Sequence, residues 1–115
     1  MSLDVKLYTE IDMGGEEKEY IEFFSANITH NLNTMADWAG IYFTCWRPDE
    51  KGYFYAKDLI RDLELGLKDL KGNPEFFKKY DAENGWGTYE DFVPWVEEYL
   101  NACKRYPKAL IEVSR

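Results

Sequence analysis

The sequence predicts an α+β fold, in which a small antiparallel sheet of about three strands packs against three or four α-helices. Residues 3–11 and 109–113 alternate between apolar and polar side chains, which is the pattern of half-buried strands. Residues 56–71 and 88–103 instead place apolar side chains every three or four positions, as amphipathic helices do. A chain of 115 residues has room for one hydrophobic core, so we expect a single domain over residues 1–115.

The N-terminal segment predicts a β-hairpin. The side chains from Leu3 to Thr9 alternate in hydrophobicity, and the adjacent glycines Gly14 and Gly15 mark a turn. Residues 18–24 alternate again, so we expect a second strand there, antiparallel to the first.

A helix is predicted to follow, capped by Asn27 or Thr29 and closed by Gly40 at its C-terminal end. On that helix, five side chains would form a continuous stripe. These are Asn27, His30, Asn31, Thr34 and Trp38. Residues 41–46 fit either a strand or further helical turns, and their apolar spacing favours helix.

The second half of the chain predicts three helices and a strand. Residues 56–71 form the clearest amphipathic pattern, and Asn73-Pro74 is a typical start for a short helix reaching Tyr80. Thr88 can cap the last helix, and Pro94 would either kink that helix or mark a later start. The C-terminal strand is expected to pair with the hairpin and close the sheet.

Composition and charge limit the classes of partner. The formal net charge is −8, which opposes direct binding to nucleic acids and to anionic membranes. An acidic surface instead suits the basic face of another protein. Cys45 and Cys103 are far apart in sequence, no apolar run has membrane-spanning length, and we therefore expect reduced thiols in the cytoplasm.

Polar and aromatic segments supply candidate ligand-binding residues. Amide and imidazole groups could hydrogen-bond a ligand beside a tryptophan, a guanidinium could hold a phosphate or carboxylate, and a helix N-terminus favours anions. The residues with these groups are Asn27, His30, Asn31, Arg47, Trp86 and Tyr89.

Each candidate also has a structural alternative. The amides and the imidazole could cap the first helix and hold neighbouring loops. Arg47 could pair with Asp49 or Glu50, and Trp86 could cover the core. One histidine and two separated cysteines do not make a usual zinc site, and the sequence has no phosphate-binding glycine loop. We therefore expect no metal, no cofactor and no catalytic residues.

Four segments are long or distinctive enough to compare with known families. They are Ser-Ala-Asn-Ile-Thr-His-Asn-Leu at 25–32, Trp-Arg-Pro at 46–48, Asn-Gly-Trp-Gly-Thr-Tyr-Glu at 84–90, and the closing Glu-Val-Ser-Arg. Together they resemble a family of small proteins of bacterial and phage genomes to which no activity is assigned. The resemblance implies a prokaryotic or phage origin and a cytosolic single domain.

Two functions from different classes follow from these observations. The preferred one is a non-enzymatic, acidic interaction protein of bacterial or phage origin that modulates a host enzyme or defence system. The alternative is a domain that binds a small polar or anionic ligand, such as a nucleotide, in a pocket around His30, Arg47 and Trp86.

Overall fold

The computed structural model describes residues 2–115 and confirms the α+β fold. One antiparallel sheet has the strand order β2-β1-β3, so the first strand is central. The strands are β1 (Ser2–Ile11), β2 (Glu19–Thr29) and β3 (Leu110–Ser114). The helices are α1 (Asn33–Trp38), α2 (Tyr42–Trp46), α3 (Ala56–Gly72), α4 (Pro74–Lys78) and α5 (Tyr89–Arg105).

The second strand is longer than predicted and contains a β-bulge. Leu7 pairs with Phe24 and Tyr8 pairs with Glu22, which leaves Phe23 as an extra residue on β2. Phe24 stacks on Tyr99 with ring centroids 6.0 Å apart, and Phe23 stacks on Tyr106 at 4.8 Å. The bulge therefore lets two consecutive phenylalanines contact helix α5 and its end, which strict alternation would forbid.

Of the two predicted caps of the first helix, Asn27 is wrong and Thr29 is confirmed, and the α-helix itself begins later than predicted. Residues 25–29 continue β2, because Asn27 pairs with Asp4 and buried Ile28 pairs with Leu3 across the sheet. Thr29 is the true cap, and its Oγ1 accepts a hydrogen bond from the Asn31 backbone N–H at 3.3 Å. A single 3-10 turn over 30–32 follows, and only then does α1 begin. The predicted stripe from Asn27 to Trp38 therefore does not exist as one helix face.

The other sequence predictions agree closely with the structure. Residues 42–46 are helical, as their apolar spacing indicated, and α3 follows the predicted amphipathic segment. Thr88 caps α5, its Oγ1 accepting from the Asp91 backbone N–H at 3.2 Å. Helix α4 is shorter than predicted, because it ends at Lys78 rather than Tyr80.

The hydrophobic core lies between one face of the sheet and the helices. Helices α3 and α5 pack against each other, and α5 also packs on β2. The largest fully buried side chains include Trp46, Tyr99, Phe77 and Phe92, so the core is rich in aromatic rings. Over residues 2–115, no helix is long and apolar enough to cross a membrane.

Both cysteines are free thiols inside this core. Burial raises the pKa of Cys103 from 9.0 to about 12, and burial also raises the pKa of Cys45 strongly. The raised pKa of each thiol means that only the unfolded chain deprotonates just above pH 9, so alkaline pH favours unfolding.

We therefore expect the free energy of unfolding to fall above pH 9, by about 1 kcal/mol per thiol over the first pH unit. Urea denaturation at a series of pH values measures this loss, and Cys103→Ala should reduce it. A thiol reagent should modify both cysteines only as fast as the protein unfolds. Rapid modification of the native protein would contradict the buried position of the thiols.

An amide-lined cleft as candidate functional site

A polar cleft lies where β2 ends and the chain turns into the first helices. Its volume is about 880 Å³, within the size range of small-molecule sites. The walls come from the start of β1, the end of β2, the 3-10 turn and the loop before α5. The lining residues are Ser2, Asn27, Thr29, His30, Asn31, Asn33, Asn84 and Trp86.

Hydrogen bonds and close packing hold the two sides of the cleft together. The Asn31 side-chain amide donates to the Trp86 backbone carbonyl at 2.8 Å, which joins residues 55 positions apart. On the other side, the Trp86 N–H donates to Asn84 Oδ1 at 3.0 Å and shapes the loop. Gly87 is buried and lies so close to Thr29 that a Cβ atom there would come within 2.9 Å of the threonine methyl. The cleft is thus built on a fixed contact between distant segments.

A hydrogen bond from Trp46 holds His30 in one tautomer. The indole N–H of Trp46, which is 1% exposed, donates to His30 Nδ1 at 3.0 Å. An Nδ1 that accepts a hydrogen bond has no proton, so the neutral ring has its proton on Nε2. His30 Nε2 is buried and has no hydrogen-bond partner within residues 2–115. The ring therefore keeps an unused N–H donor next to the cleft.

Because this is the only histidine in the chain, its tautomer can be measured without overlap. We expect ¹H–¹⁵N correlation spectra of the imidazole to show the Nε2–H form in the native protein. Trp46→Phe removes the donor to Nδ1 and should allow both tautomers to be populated. A native spectrum dominated by the Nδ1–H form would contradict the hydrogen bond from Trp46.

The part of the cleft that residues 2–115 form is electrically neutral. Its lining consists of amide, hydroxyl, imidazole and indole groups, and it includes no Asp, Glu, Lys or Arg. Trp86 is 72% exposed, so a large apolar ring stands at the edge of these polar groups. Asn31 and Asn84 use part of their hydrogen-bonding capacity on the loop, while the Asn27 amide takes no part in that contact. This combination suits a ligand with an apolar face and several polar groups.

Four of the six predicted site residues meet in this cleft, and two do not. Asn27, His30, Asn31 and Trp86 all line it. Arg47 donates instead to the Tyr42 hydroxyl at 3.1 Å and to Glu50 at 3.0 Å, and these hydrogen bonds raise the pKa of its guanidinium. The structural alternative considered for Arg47, an ion pair with Glu50, is thus the observed one.

Tyr89 also has a structural position away from the cleft. Its hydroxyl donates to the Leu70 carbonyl at 2.8 Å, and its backbone N–H donates to Asp81 at 2.7 Å. The first bond ties the start of α5 to the end of α3, and the second ties it to the loop at Asp81. Tyr89 therefore positions the loop that contains Trp86, without lining the cleft itself.

Sequence reasoning missed four lining residues, Ser2, Thr29, Asn33 and Asn84. Thr29 is predicted only as a helix cap, and Asn33 lies within the predicted first helix without being singled out. Asn84 stands beside Trp86 in the distinctive 84–90 segment, and this proximity was the available signal. Nothing in the sequence marked Ser2 as a site residue, because only the pairing of β1 with β2 brings it to the cleft.

Within residues 2–115, the lining of the cleft places no carboxylate or thiol beside His30. In the part of the chain from residue 2 to residue 115, no three His, Cys, Asp or Glu side chains are grouped so as to hold a metal ion. Compared with known proteins, the chain matches no protein-family model, no curated protein and no solved structure. The function must therefore be argued from the geometry of the cleft.

Proposed function

We propose that this protein is a binding domain whose cleft takes an uncharged ring compound with several hydrogen-bonding groups, such as a nucleobase or a sugar ring. One observation supports the proposal most strongly. Distant segments are fastened together so that asparagine amides surround the edge of an exposed indole. This arrangement stabilises the hydrophobic core little, because the Trp86 side chain is mostly exposed.

The groups of the cleft match this ligand class in number and type. An amide offers both a donor and an acceptor, which suits the carbonyl, amino and hydroxyl groups of a base or a sugar. A flat ring can stack on the indole of Trp86, and stacking of a base on an aromatic side chain contributes about 1–3 kcal/mol. The Nε2–H of His30 is a further donor, and a bound carbonyl or hydroxyl oxygen could accept from it after a small shift of the ring.

An anionic ligand fits this cleft less well than the sequence suggested. Arg47, the expected partner of a phosphate, is engaged with Tyr42 and Glu50, and among residues 2–115 no other cationic side chain lines the walls. The net charge of −8 would also repel an anion at long range. The sequence predicts a polar or anionic ligand, and we restrict this class to uncharged polar ligands.

The proposal describes a non-enzymatic protein of bacterial or phage origin in the cytoplasm. Binding requires no cofactor, and the cleft offers a histidine without a carboxylate to orient it. A cytoplasmic location would keep the two buried thiols reduced.

Thermal unfolding against matched pairs of compounds tests the ligand class. Adenosine is compared with AMP, and glucose with glucose 6-phosphate, so that each pair differs only by a phosphate. A ligand at about 100 times its dissociation constant adds roughly 2.7 kcal/mol and raises the melting temperature by several degrees. We expect the uncharged member of one pair to stabilise the protein at least as much as the anionic member.

Two variants show whether the stabilisation arises in the cleft. Asn27→Ala removes an amide at the end of β2 without touching the bond between Asn31 and Trp86, and it should abolish most of the shift. Phe43→Ala is the matched control, because Phe43 is exposed on α2 and does not line this cleft. Stabilisation only by the phosphorylated members, or equal loss in both variants, would refute the proposed ligand class.

A further inference from the structure

The face of the sheet that points away from the helices is uncovered and has a distinct composition. Alternation along each strand puts its outward side chains together, and residues directly paired across strands share a face. On β1 and β3 the outward residues include Tyr8, which pairs with Leu110. Leu110 in turn forms a bridge with Tyr55, so tyrosine and leucine side chains adjoin on the β1 and β3 side of the face, while Glu22 of β2 pairs with Tyr8 on the other side.

A depression in this face combines two tyrosines with three carboxylates. Its volume is about 400 Å³, and its lining residues are Lys6, Tyr8, Glu10, Tyr20, Glu22 and Glu112. The rings of Tyr8 and Tyr20 have centroids 5.9 Å apart and planes inclined by 51°, so they pack against each other as a tilted pair. Tyr20 is 63% exposed, which is unusual for a ring of this size on a strand.

The electrostatic field of this face is negative. The strands present four carboxylates there, those of Asp4, Glu10, Glu22 and Glu112. Two ammonium groups offset them in part: Lys6 on β1, and Lys18, whose Nζ lies 3.4 Å from Glu10. Lys6 lies 3.9 Å from Glu22, a distance that makes at most a weak ion pair. Burial raises the pKa of the Tyr8 phenol, and the charges of Glu10 and Glu112 raise it further.

We propose that this acidic tyrosine face, defined by Tyr8, Tyr20, Glu10, Glu22 and Glu112, is a docking surface for a basic protein segment whose arginine side chain stacks on the exposed ring of Tyr20. Charge complementarity selects this partner: a guanidinium can stack on a tyrosine ring and donate to the carboxylates around it. The edge of the same face already shows a contact of this kind, because Lys57 Nζ lies 5.6 Å from the centre of the Tyr55 ring.

This surface is separate from the neutral cleft. The two depressions share no lining residue, and the face is charged where the cleft is neutral. The proposal therefore does not depend on a small-molecule ligand. It gives a specific surface to the acidic interaction protein that the sequence predicts.

The test measures fluorescence anisotropy of a labelled peptide of alternating arginine and glycine, added to the wild-type protein and to charge variants. Glu22→Gln combined with Glu112→Gln removes two carboxylates from the face. Glu75→Gln combined with Glu98→Gln removes the same charge from exposed positions on α4 and α5. We expect the first pair to weaken peptide binding about fivefold or more, and the second pair to have less than a twofold effect.

Two further measurements separate the face from general charge attraction. Tyr20→Ala should weaken binding of the arginine peptide more than binding of a peptide of alternating lysine and glycine. The reason is that the planar guanidinium stacks on a ring better than an ammonium group does. Binding should also weaken in about 0.5 M NaCl, where the Debye length is roughly 4 Å. Three results would overturn the proposal. They are equal losses of peptide affinity in the two pairs of charge variants, no peptide binding at low salt, and binding of the sugar oligomer maltohexaose in place of the peptide.

Discussion

Gly87→Ala is expected to destabilise the fold by about 3 kcal/mol and to open the amide-lined cleft. Gly87 has a backbone φ of +115°, which side chains with a Cβ rarely adopt. An added Cβ would also lie 2.9 Å from the Thr29 methyl, 3.2 Å from Leu32 and 3.3 Å from Asn31. Strain and crowding thus act together, and the easiest relief is for the loop to move away from the 3-10 turn.

Gly85→Ala is the matched control for this prediction. Gly85 also has a positive φ, +78°, but a Cβ there would meet no atom within 4 Å. We expect Gly85→Ala to lower the free energy of unfolding by about 1 kcal/mol, through backbone strain alone. Urea denaturation measures both variants, and the side-chain amide resonances of Asn31 report on the contact with Trp86. A loss for Gly87→Ala no larger than that for Gly85→Ala would contradict the close packing of the loop.

Gly66→Ala should lower the free energy of unfolding by about 1.5 kcal/mol, although alanine is the better helix former. Gly66 lies in the middle of α3, where a Cβ would come within 2.5 Å of Ile41 Cγ2 and 3.3 Å of the Ala39 carbonyl oxygen. Ile41 is 1% exposed, and its β-branched side chain has few other rotamers. The helix must therefore move away from the segment between α1 and α2.

Two comparisons distinguish crowding from helix propensity. Gly72→Ala, at the end of the same helix, meets no atom within 4 Å and should stabilise the protein by about 0.5 kcal/mol. In the background of Ile41→Ala, which removes the clashing methyl, Gly66→Ala should cost less than it does in the wild type. Additive effects of the two substitutions would show that Gly66 and Ile41 are not in contact.

The fold was predictable wherever one periodicity held over many residues. Helix α3 and strand β1 have long, uniform patterns, so their type and limits follow from the sequence. The bulge at Phe23 and the extension of β2 to Thr29 depend on pairing with β1, a non-local interaction that local propensity cannot report. The same polar residues can cap a helix or end a strand, and the pairing decides between them.

The candidate site was predictable in part for the same reason. The unusual composition of 25–32 and 84–90 marked both walls of the cleft, and Asn31 and Trp86 do meet there. Arg47 was predicted to join them because a guanidinium can hold a phosphate or carboxylate, yet it donates to Tyr42 and Glu50. Its hydrogen-bond partners lie three and five residues away, and the type of side chain alone does not distinguish such local partners from a ligand.

The most direct test of the central claim is chemical-shift mapping of the ¹⁵N-labelled protein during titration with adenosine and, separately, with glucose. We expect one compound to shift the indole N–H of Trp86 and the side-chain amides of Asn27 and Asn31, with saturation at a common dissociation constant. The indole N–H of Trp38, which is 56% exposed but outside the cleft, should not move. Shifts that saturate elsewhere on the surface, or no saturable shift with either compound, would contradict a binding cleft for uncharged rings.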